Sequence, residues 1–165
     1  MRAIDIQKYW KEIREEVLQI TDINNHKWLK SKEKGCTFYK YPLMWHGNKS
    51  HEHVGINRST CPKTCKYIDM ITENDVGNVG FSMLIPGGRI STHKDTYFGK
   101  KYLYTINLGV DIPEGNDCIL EHSLLSEPFV HKNGDMICHD ARALHQPINN
   151  STKNRTIFYC EVYDK

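Results

Sequence analysis

The segment at residues 79–95, VGFSMLIPGGRISTHKD, contains the change of pattern on which the fold depends. Its first seven residues, 79–85, are mostly apolar and form a β-strand candidate, which Pro86-Gly87-Gly88 then ends. Five further strand candidates follow along the chain, at residues 102–112, 117–121, 128–130, 135–139 and 155–163. Many short strands with polar turns between them are typical of a sandwich or a closed jelly-roll barrel. We therefore predict that residues 78–165 form the core of a mainly-β domain.

The part of the chain before residue 78 has a different character. Apolar side chains recur at helical spacing from Ile6 through Ile13 and Val17, which predicts one amphipathic helix over residues 4–20, packed on the outside of the β domain. Residues 21–77 are rich in polar residues, and we expect long loops there with short strands at 37–41 and 66–71. A chain of 165 residues with this organisation is expected to form a single domain, 1–165.

Composition narrows the classes of function and the compartment. The net charge is +2 and no run of Lys and Arg is long, so we expect no nucleic-acid partner. No apolar run approaches a membrane span and the first residues lack the apolar core of a signal peptide, which predicts a cytoplasmic protein with no membrane partner. In that compartment the six cysteines are expected to be thiols: Cys36, Cys61, Cys65, Cys118, Cys138 and Cys160.

Three side chains form a candidate metal site. His93 and Asp95 are two residues apart, so in an extended segment both point to the same face and can bind one ion. A folded-back sheet would add His145 to them. Two imidazoles and one carboxylate on one face of an ion leave three coordination positions open, which is typical of non-haem Fe(II) that also binds a bidentate cosubstrate and O2. A His-x-Asp triplet is common by chance, so this interpretation depends on the preceding turn and on the downstream residues.

A basic residue opens the last strand candidate. Alternation along that strand places Arg155, Ile157 and Tyr159 on one face. An arginine inside the mouth of a barrel is costly unless it meets an anion. A dicarboxylate ligand would provide one in the bidentate geometry that arginine favours.

Other groups of metal-binding residues are weaker candidates. His51-Glu52-His53 is expected in a solvated polar loop, and the spacing from Cys61 to Cys65 does not fit a structural zinc site. His139-Asp140 competes with His145 for the role of downstream ligand. We prefer His145 because it precedes Arg155 by ten residues, and we interpret Asp140 as a residue that supports a ligand or faces the substrate.

With these residues placed, the chain resembles the aspartyl/asparaginyl β-hydroxylase family of Fe(II)/2-oxoglutarate oxygenases. The resemblance rests on YWKEIR at residues 9–14, CPKTC at 61–65, GFSMLIPG at 80–87, NLGVDIP at 107–113 and the spacing from His145 to Arg155. It implies a double-stranded β-helix of the jelly-roll or cupin-like kind with the N-terminal helix outside. It also implies Fe(II), 2-oxoglutarate and O2 as cofactor and cosubstrates.

Position by position, the resemblance implies His93 and His145 as iron ligands. Arg155 would bind the distal carboxylate of 2-oxoglutarate, and Ser82 would contribute a hydroxyl group. The vertebrate endoplasmic-reticulum members of the family have Gly where this chain has Asp95, so this chain has a complete triad of ligands.

Other matches concern the cosubstrate and the substrate. Where the family often has Arg-x-His-Leu, this chain has Thr105-Ile-Asn107-Leu. Neutral hydrogen bonds from Thr105 and Asn107 would then replace two cationic contacts to the cosubstrate. Trp45 and Asp140 fall where family members meet their substrate.

Three functions stay open from the sequence. The first is hydroxylation of an unactivated C–H, at the β-carbon of an Asp- or Asn-type residue in a peptide or protein, with succinate and CO2 as coproducts. The second is the same chemistry on a free amino acid or a lipid-like small molecule. The third is a non-catalytic jelly-roll binding module. The sequence does not fix the oligomeric state.

Overall fold

The structure is a computed structural model that describes residues 1–31, 37–96 and 101–165. The strands are β1 Leu29–Lys30, β2 Phe38–Met44, β3 Asp75–Leu84, β4 Tyr102–Asp111, β5 Cys118–His122, β6 Phe129–Val130, β7 Met136–His139, β8 His145–Asn149 and β9 Arg155–Tyr163. The helices are a 3-10 helix Ala3–Tyr9, followed by α1 Trp10–Gln19, α2 Glu52–Thr60 and α3 Pro62–Asp69.

The strands form two antiparallel sheets. The larger sheet has the order β1-β2-β3-β9-β4-β7, and the smaller has the order β6-β5-β8. Next to the smaller sheet, His93 forms an isolated antiparallel bridge with His145, so the segment that leads to Asp95 runs beside β8. The order of the strands is that of a jelly roll, which confirms the predicted mainly-β fold.

The alternation of side chains along β9 separates the two faces of the larger sheet. Phe158, Cys160 and Val162 are buried in the main hydrophobic cluster, which also contains Ile13 and Val17 of α1. The residues between them point to the opposite face, into the space between the sheets. The helices therefore cover one face of the larger sheet, and the other face is left for a site.

The helix predicted over residues 4–20 lies outside the barrel, but its first part is a 3-10 helix and only Trp10–Gln19 is α-helical. A carboxylate on α1 fixes a second helix. Glu16 is buried, and its oxygens accept hydrogen bonds from the backbone N–H groups of Lys63 and Thr64, both at 2.8 Å. Because the first N–H groups of a helix have no partner within it, Glu16 stabilises the start of α3.

Two predictions for residues 21–77 are wrong. Residues 66–71 were expected to form a strand, but they lie mostly in α3, which begins with Pro62 and buries Thr64, Cys65 and Ile68 on one side. His51-Glu52-His53 was expected in a loop, but His51 caps α2 and its Nδ1 accepts a hydrogen bond from the backbone N–H of His53. Both segments are short, and their polar residues hide the helical period.

A buried asparagine closes the turn between β8 and β9. The Nδ2 group of Asn149 lies 3.0 Å from the carbonyl oxygens of Leu84 and Ile85 and 2.8 Å from that of Lys153. Its Oδ1 accepts hydrogen bonds from the backbone N–H and the hydroxyl of Ser151. These bonds attach the turn that precedes Arg155 to the end of β3.

The five cysteines in the described part of the chain, Cys61, Cys65, Cys118, Cys138 and Cys160, are free thiols, as predicted. Cys36 lies outside the described residues. Among the helices of the described ranges, none combines the length and the apolar character needed to cross a bilayer.

Candidate active site

A cavity of about 160 Å³ lies between the two sheets. Seven of the side chains singled out in the sequence line it: Ser82, His93, Asp95, Thr105, Asn107, His145 and Arg155. They come from β3, β4, β8, β9 and the segment before residue 96, so only the closed fold brings them together.

The candidate metal ligands converge at one place in the cavity wall. One ligand atom from each of His93, Asp95 and His145 lies within 4.8 Å of the other two. The distance from His93 Nε2 to Asp95 Oδ1 is 3.5 Å, and the two imidazole centroids are 4.2 Å apart. This is the spacing that a single ion needs from three donors.

Backbone carbonyl groups orient both imidazoles. The Nδ1 of His93 lies 2.7 Å from the carbonyl oxygen of Ser91, and the Nδ1 of His145 lies 3.0 Å from that of Ala143. Because a carbonyl oxygen only accepts, each Nδ1 carries the proton and each Nε2 keeps a lone pair for a metal. Burial lowers the pKa of His145, which favours the neutral form that binds metals.

The hydroxyl of Tyr102 connects the elements around Asp95. The backbone N–H of Asp95 donates to the carbonyl of Ala141 at 2.8 Å, and the N–H of Ala141 donates to the Tyr102 hydroxyl at 3.0 Å. The same hydroxyl lies 3.0 Å from Thr105 Oγ1 and 3.1 Å from the carbonyl oxygen of His139. Sequence reasoning missed Tyr102, because nothing local to the strand marks such a role.

The deep end of the cavity holds a buried cation. Arg155 is 1% exposed, and its Nε and Nη2 have no hydrogen-bond partner in the part of the chain that the structure describes. Burial lowers the pKa of Arg155 to about 10, so the guanidinium stays charged at neutral pH. An unpaired buried charge is costly, and an anion at this position would remove that cost.

Thr105 and Asn107, the neutral residues of β4 that line the cavity, already form hydrogen bonds within the protein. Asn107 Nδ2 lies 3.0 Å from Nε2 of His139, and the Thr105 hydroxyl accepts a hydrogen bond from Tyr102. Burial, together with the neighbouring His145 and His122, lowers the pKa of His139 to about 3, so its ring is neutral and can accept from the amide. The contacts predicted from Thr105 and Asn107 to a cosubstrate therefore stay predictions.

The two residues expected to meet a substrate do not line the cavity. Trp45 stacks against His51 with the ring centroids 5.6 Å apart. Asp140 forms hydrogen bonds of 2.8 Å with Nε and Nη2 of Arg142, and these hold the pKa of Asp140 at about 2. The structure does not bring either side chain to the cavity wall, and their substrate role stays a prediction.

Sequence reasoning also missed two polar residues of the wall, Lys40 and Glu161. His139 was considered only as an alternative to His145, and it lies outside the group whose ligand atoms converge. Glu161 could have been found, because the alternation that begins at Arg155 reaches it after three further steps of two residues.

Comparison with known proteins agrees with this architecture. A Pseudomonas putida prolyl-4-hydroxylase has a TM-score of 0.61 at 10% identity, over 94% of this chain and 88% of that one. The viral collagen prolyl hydroxylase of Paramecium Bursaria Chlorella virus-1 has a TM-score of 0.56 at 17% identity, over 93% of this chain and 91% of that one. At these identities the likeness shows the fold. None of the curated proteins compared with the chain matches it.

The fold and the family match together define a hydroxylase-type oxygenase. The family model described as aspartyl/asparaginyl beta-hydroxylase matches residues 7–165, nearly the whole chain. The chain belongs to the aspartyl/asparaginyl β-hydroxylase family.

Proposed function

We propose that the protein is an Fe(II)- and 2-oxoglutarate-dependent hydroxylase that converts an unactivated C–H to C–OH and releases succinate and CO2. One observation carries the proposal: the same cavity is lined by three converging candidate metal donors and by a buried guanidinium whose Nε and Nη2 have no partner among the described residues. Membership of the family supports it. So does the viral collagen prolyl hydroxylase, a protein of the same fold whose structure was determined as a 2OG complex.

The donor set fits iron. The side chains of His93 and His145 present Nε2 atoms and Asp95 presents a carboxylate oxygen, which is the combination of two imidazoles and one carboxylate that suits non-haem Fe(II). When bound, the iron supplies, with 2-oxoglutarate and O2, the oxidising power for C–H hydroxylation. The protein orients the ligands through the carbonyl groups of Ser91 and Ala143.

The deep end fits the distal carboxylate of 2-oxoglutarate. Arg155 offers two nitrogen atoms, Nε and Nη2, that have no partner in the described part of the chain. Ser82 lies on the adjacent strand, where Leu84 pairs with Arg155 and Ser82 with Ile157. Apolar side chains, Ile157 among them, line the walls and exclude water from the carboxylate. A charge-assisted pair is stronger in such surroundings than in water.

Two substrate classes remain within this proposal. The family favours the β-carbon of an Asp- or Asn-type residue in a peptide or protein. The small volume of the cavity, about 160 Å³, favours the alternative of a free amino acid or another small molecule. The chemistry of the site is the same for both.

Anaerobic titration with Fe(II) and 2-oxoglutarate tests the proposal. The wild-type protein should develop a visible metal-to-ligand charge-transfer band, and O2 should then yield succinate and a product heavier by one oxygen atom with a substrate from a panel of peptides and amino acids. His93→Ala should lose the band, and His53→Ala, an exposed histidine of α2, should keep it. A wild-type protein without the band and without succinate would refute the proposal.

A further inference from the structure

We propose that Glu161 binds a protonated amine on the substrate. This inference rests on the proposed function and adds the chemical class of one group that the substrate carries. It concerns the end of the cavity opposite Arg155.

The strand register places Glu161 at the level of the candidate metal ligands. Thr105 on β4 pairs with Glu161 on one side and with His139 on the other, and the His139 ring centroid is 5.3 Å from that of His145. Glu161 is thus two strands from His139, a distance of about 10 Å between backbones. Arg155 starts the same strand six residues earlier, about 20 Å away at the rise of a β-strand.

The carboxylate of Glu161 is held by neutral donors. It accepts hydrogen bonds from the backbone N–H of Asn78 at 3.1 Å, from the amide of Asn78 at 2.9 and 3.0 Å, and from the hydroxyl of Tyr163 at 3.2 Å. Among residues 1–31, 37–96 and 101–165, no cation forms an ion pair with it. Its Oε1 accepts only one of these bonds, although a carboxylate oxygen can accept two.

These contacts fix the position of the carboxylate without neutralising its charge. Glu161 is half-buried and lines the cavity, so a ligand that enters the cavity can approach this side chain. A positively charged donor would form the strongest hydrogen bond with this carboxylate, because hydrogen bonds between charged groups are about twice as strong as neutral ones.

The cavity also has an uneven distribution of charge. Lys40 pairs with Ser82 in the sheet. Its Nζ lies 5.4 Å from the ring centroid of Phe38, so the ammonium group of Lys40 is directed towards the Arg155 end of the cavity. The two cations that the described residues contribute to the wall, Lys40 and Arg155, are therefore at the end proposed for 2-oxoglutarate. Asp95 belongs to the candidate metal set, so among the described residues of the wall Glu161 is the carboxylate that is left for the substrate.

A backbone group holds the amide that orients this carboxylate. The backbone N–H of His46 donates to Oδ1 of Asn78 at 2.9 Å, and Nδ2 of the same amide donates to Glu161. The turn that follows β2 therefore fixes the position of Asn78, and through it that of Glu161.

A probe of minimal structure tests the charge preference without knowledge of the substrate. Binding of n-butylammonium and of 1-butanol would be measured by NMR relaxation of the probe on protein loaded with Mn(II) and 2-oxoglutarate. At pH 7 the amine is protonated, and we expect it to bind about 10- to 100-fold more tightly than the alcohol.

Glu161→Gln should abolish that difference, because the amide keeps the shape of the side chain and removes its charge. Glu121→Gln, the same change at an exposed position of β5, should leave the difference intact. Equal binding of the two probes to the wild-type protein, or an unchanged preference in Glu161→Gln, would overturn the inference.

The source of the amine is decided with two groups of substrates. Free amino acids with neutral side chains offer an α-ammonium group, and N-acetylated peptides that contain lysine offer a side-chain ammonium group. Hydroxylation of only one of these two sets of substrates identifies the source of the amine, provided that Glu161→Gln lowers kcat/KM for that set by about 10- to 100-fold. Equal turnover of substrates with and without an amine would count against the role of Glu161.

Failure of this inference is distinguishable from failure of the proposed function. The charge-transfer band with Fe(II) and 2-oxoglutarate depends on the metal ligands and on Arg155, and Glu161→Gln should retain it. If the wild-type protein forms the band but does not prefer the amine, the inference about Glu161 is wrong and the proposed function still holds.

Discussion

Arg155 has a charge that the described residues do not balance, and its burial makes the position sensitive to any change of side chain. A guanidinium in this position lowers the stability of the fold relative to a neutral residue unless a ligand pairs with it. The cavity therefore has a built-in preference for an anion at its deep end.

Replacement of Arg155 by Ala should raise the KM for 2-oxoglutarate by about 100-fold or more, because two charge-assisted hydrogen bonds are lost. Iron affinity should change by less than about threefold, since Arg155 is not among the metal donors. Steady-state succinate assays and metal titration measure the two effects. Arg89→Ala, at an exposed arginine, is the control, and an unchanged KM in Arg155→Ala would remove Arg155 from the cosubstrate site.

Asp95 is the proposed metal ligand that distinguishes this chain from the vertebrate members of its family. We expect Asp95→Gly to bind iron more weakly and to keep part of the activity, because relatives with Gly at this position manage with two protein ligands. Lys94→Gly introduces the same flexibility one residue earlier and serves as the control. Complete loss of iron binding in Asp95→Gly, measured by titration, would show this expectation to be wrong.

How far the sequence could predict the site differs from residue to residue. The positions of His93, Asp95 and Arg155 follow from spacing and alternation, which are local. Tyr102 could not be predicted, because its hydroxyl acts through Ala141, which is 39 residues away along the chain. Contacts of this kind depend on the closed barrel and leave no periodic signal.

At the scale of single elements, the prediction succeeded where one period extends over many residues. Strands β3, β4 and β9 are nine or ten residues long and largely buried, and all three were predicted. Strand β8 has five residues and was not among the strand candidates, and α2 and α3 have nine and eight residues and were missed. In α3 the start depends on Glu16, so a tertiary contact supplies what the local sequence lacks.

Close packing of β4 gives a prediction at this scale. A Cβ added to Gly109 would lie 2.0 Å from the carbonyl oxygen of Lys132, so Gly109→Ala must move backbone. We expect it to lower the free energy of unfolding by about 1–3 kcal/mol, the usual cost of overpacking. Urea denaturation measures the change.

Gly55→Ala is the matched variant for that experiment. A Cβ at Gly55, inside α2, meets nothing within 4 Å. Alanine is the better helix former, and we expect a gain of about 0.5–1 kcal/mol. Equal effects of the two glycine substitutions would contradict the packing argument.

For the whole molecule, metal and cosubstrate should be linked to stability. A ligand at 100 times its Kd stabilises the folded state by about 2.7 kcal/mol, and a chain of this size gains about 2–4 °C per kcal/mol. Removal of metal with a chelator should therefore lower Tm by about 5–10 °C. His93→Ala should show no such drop, and a Tm that does not respond to the chelator in the wild-type protein would argue against a metal site.

The amide of Asn149 has a consequence for how the protein can be produced. Asn149-Asn-Ser151 is an acceptor sequence for N-glycosylation, and a glycan would be attached to the Nδ2 atom that here donates to interior carbonyl groups. A sugar added before folding would keep the turn before Arg155 from closing. A host without N-glycosylation avoids this modification and leaves the Arg155 end of the cavity free to form.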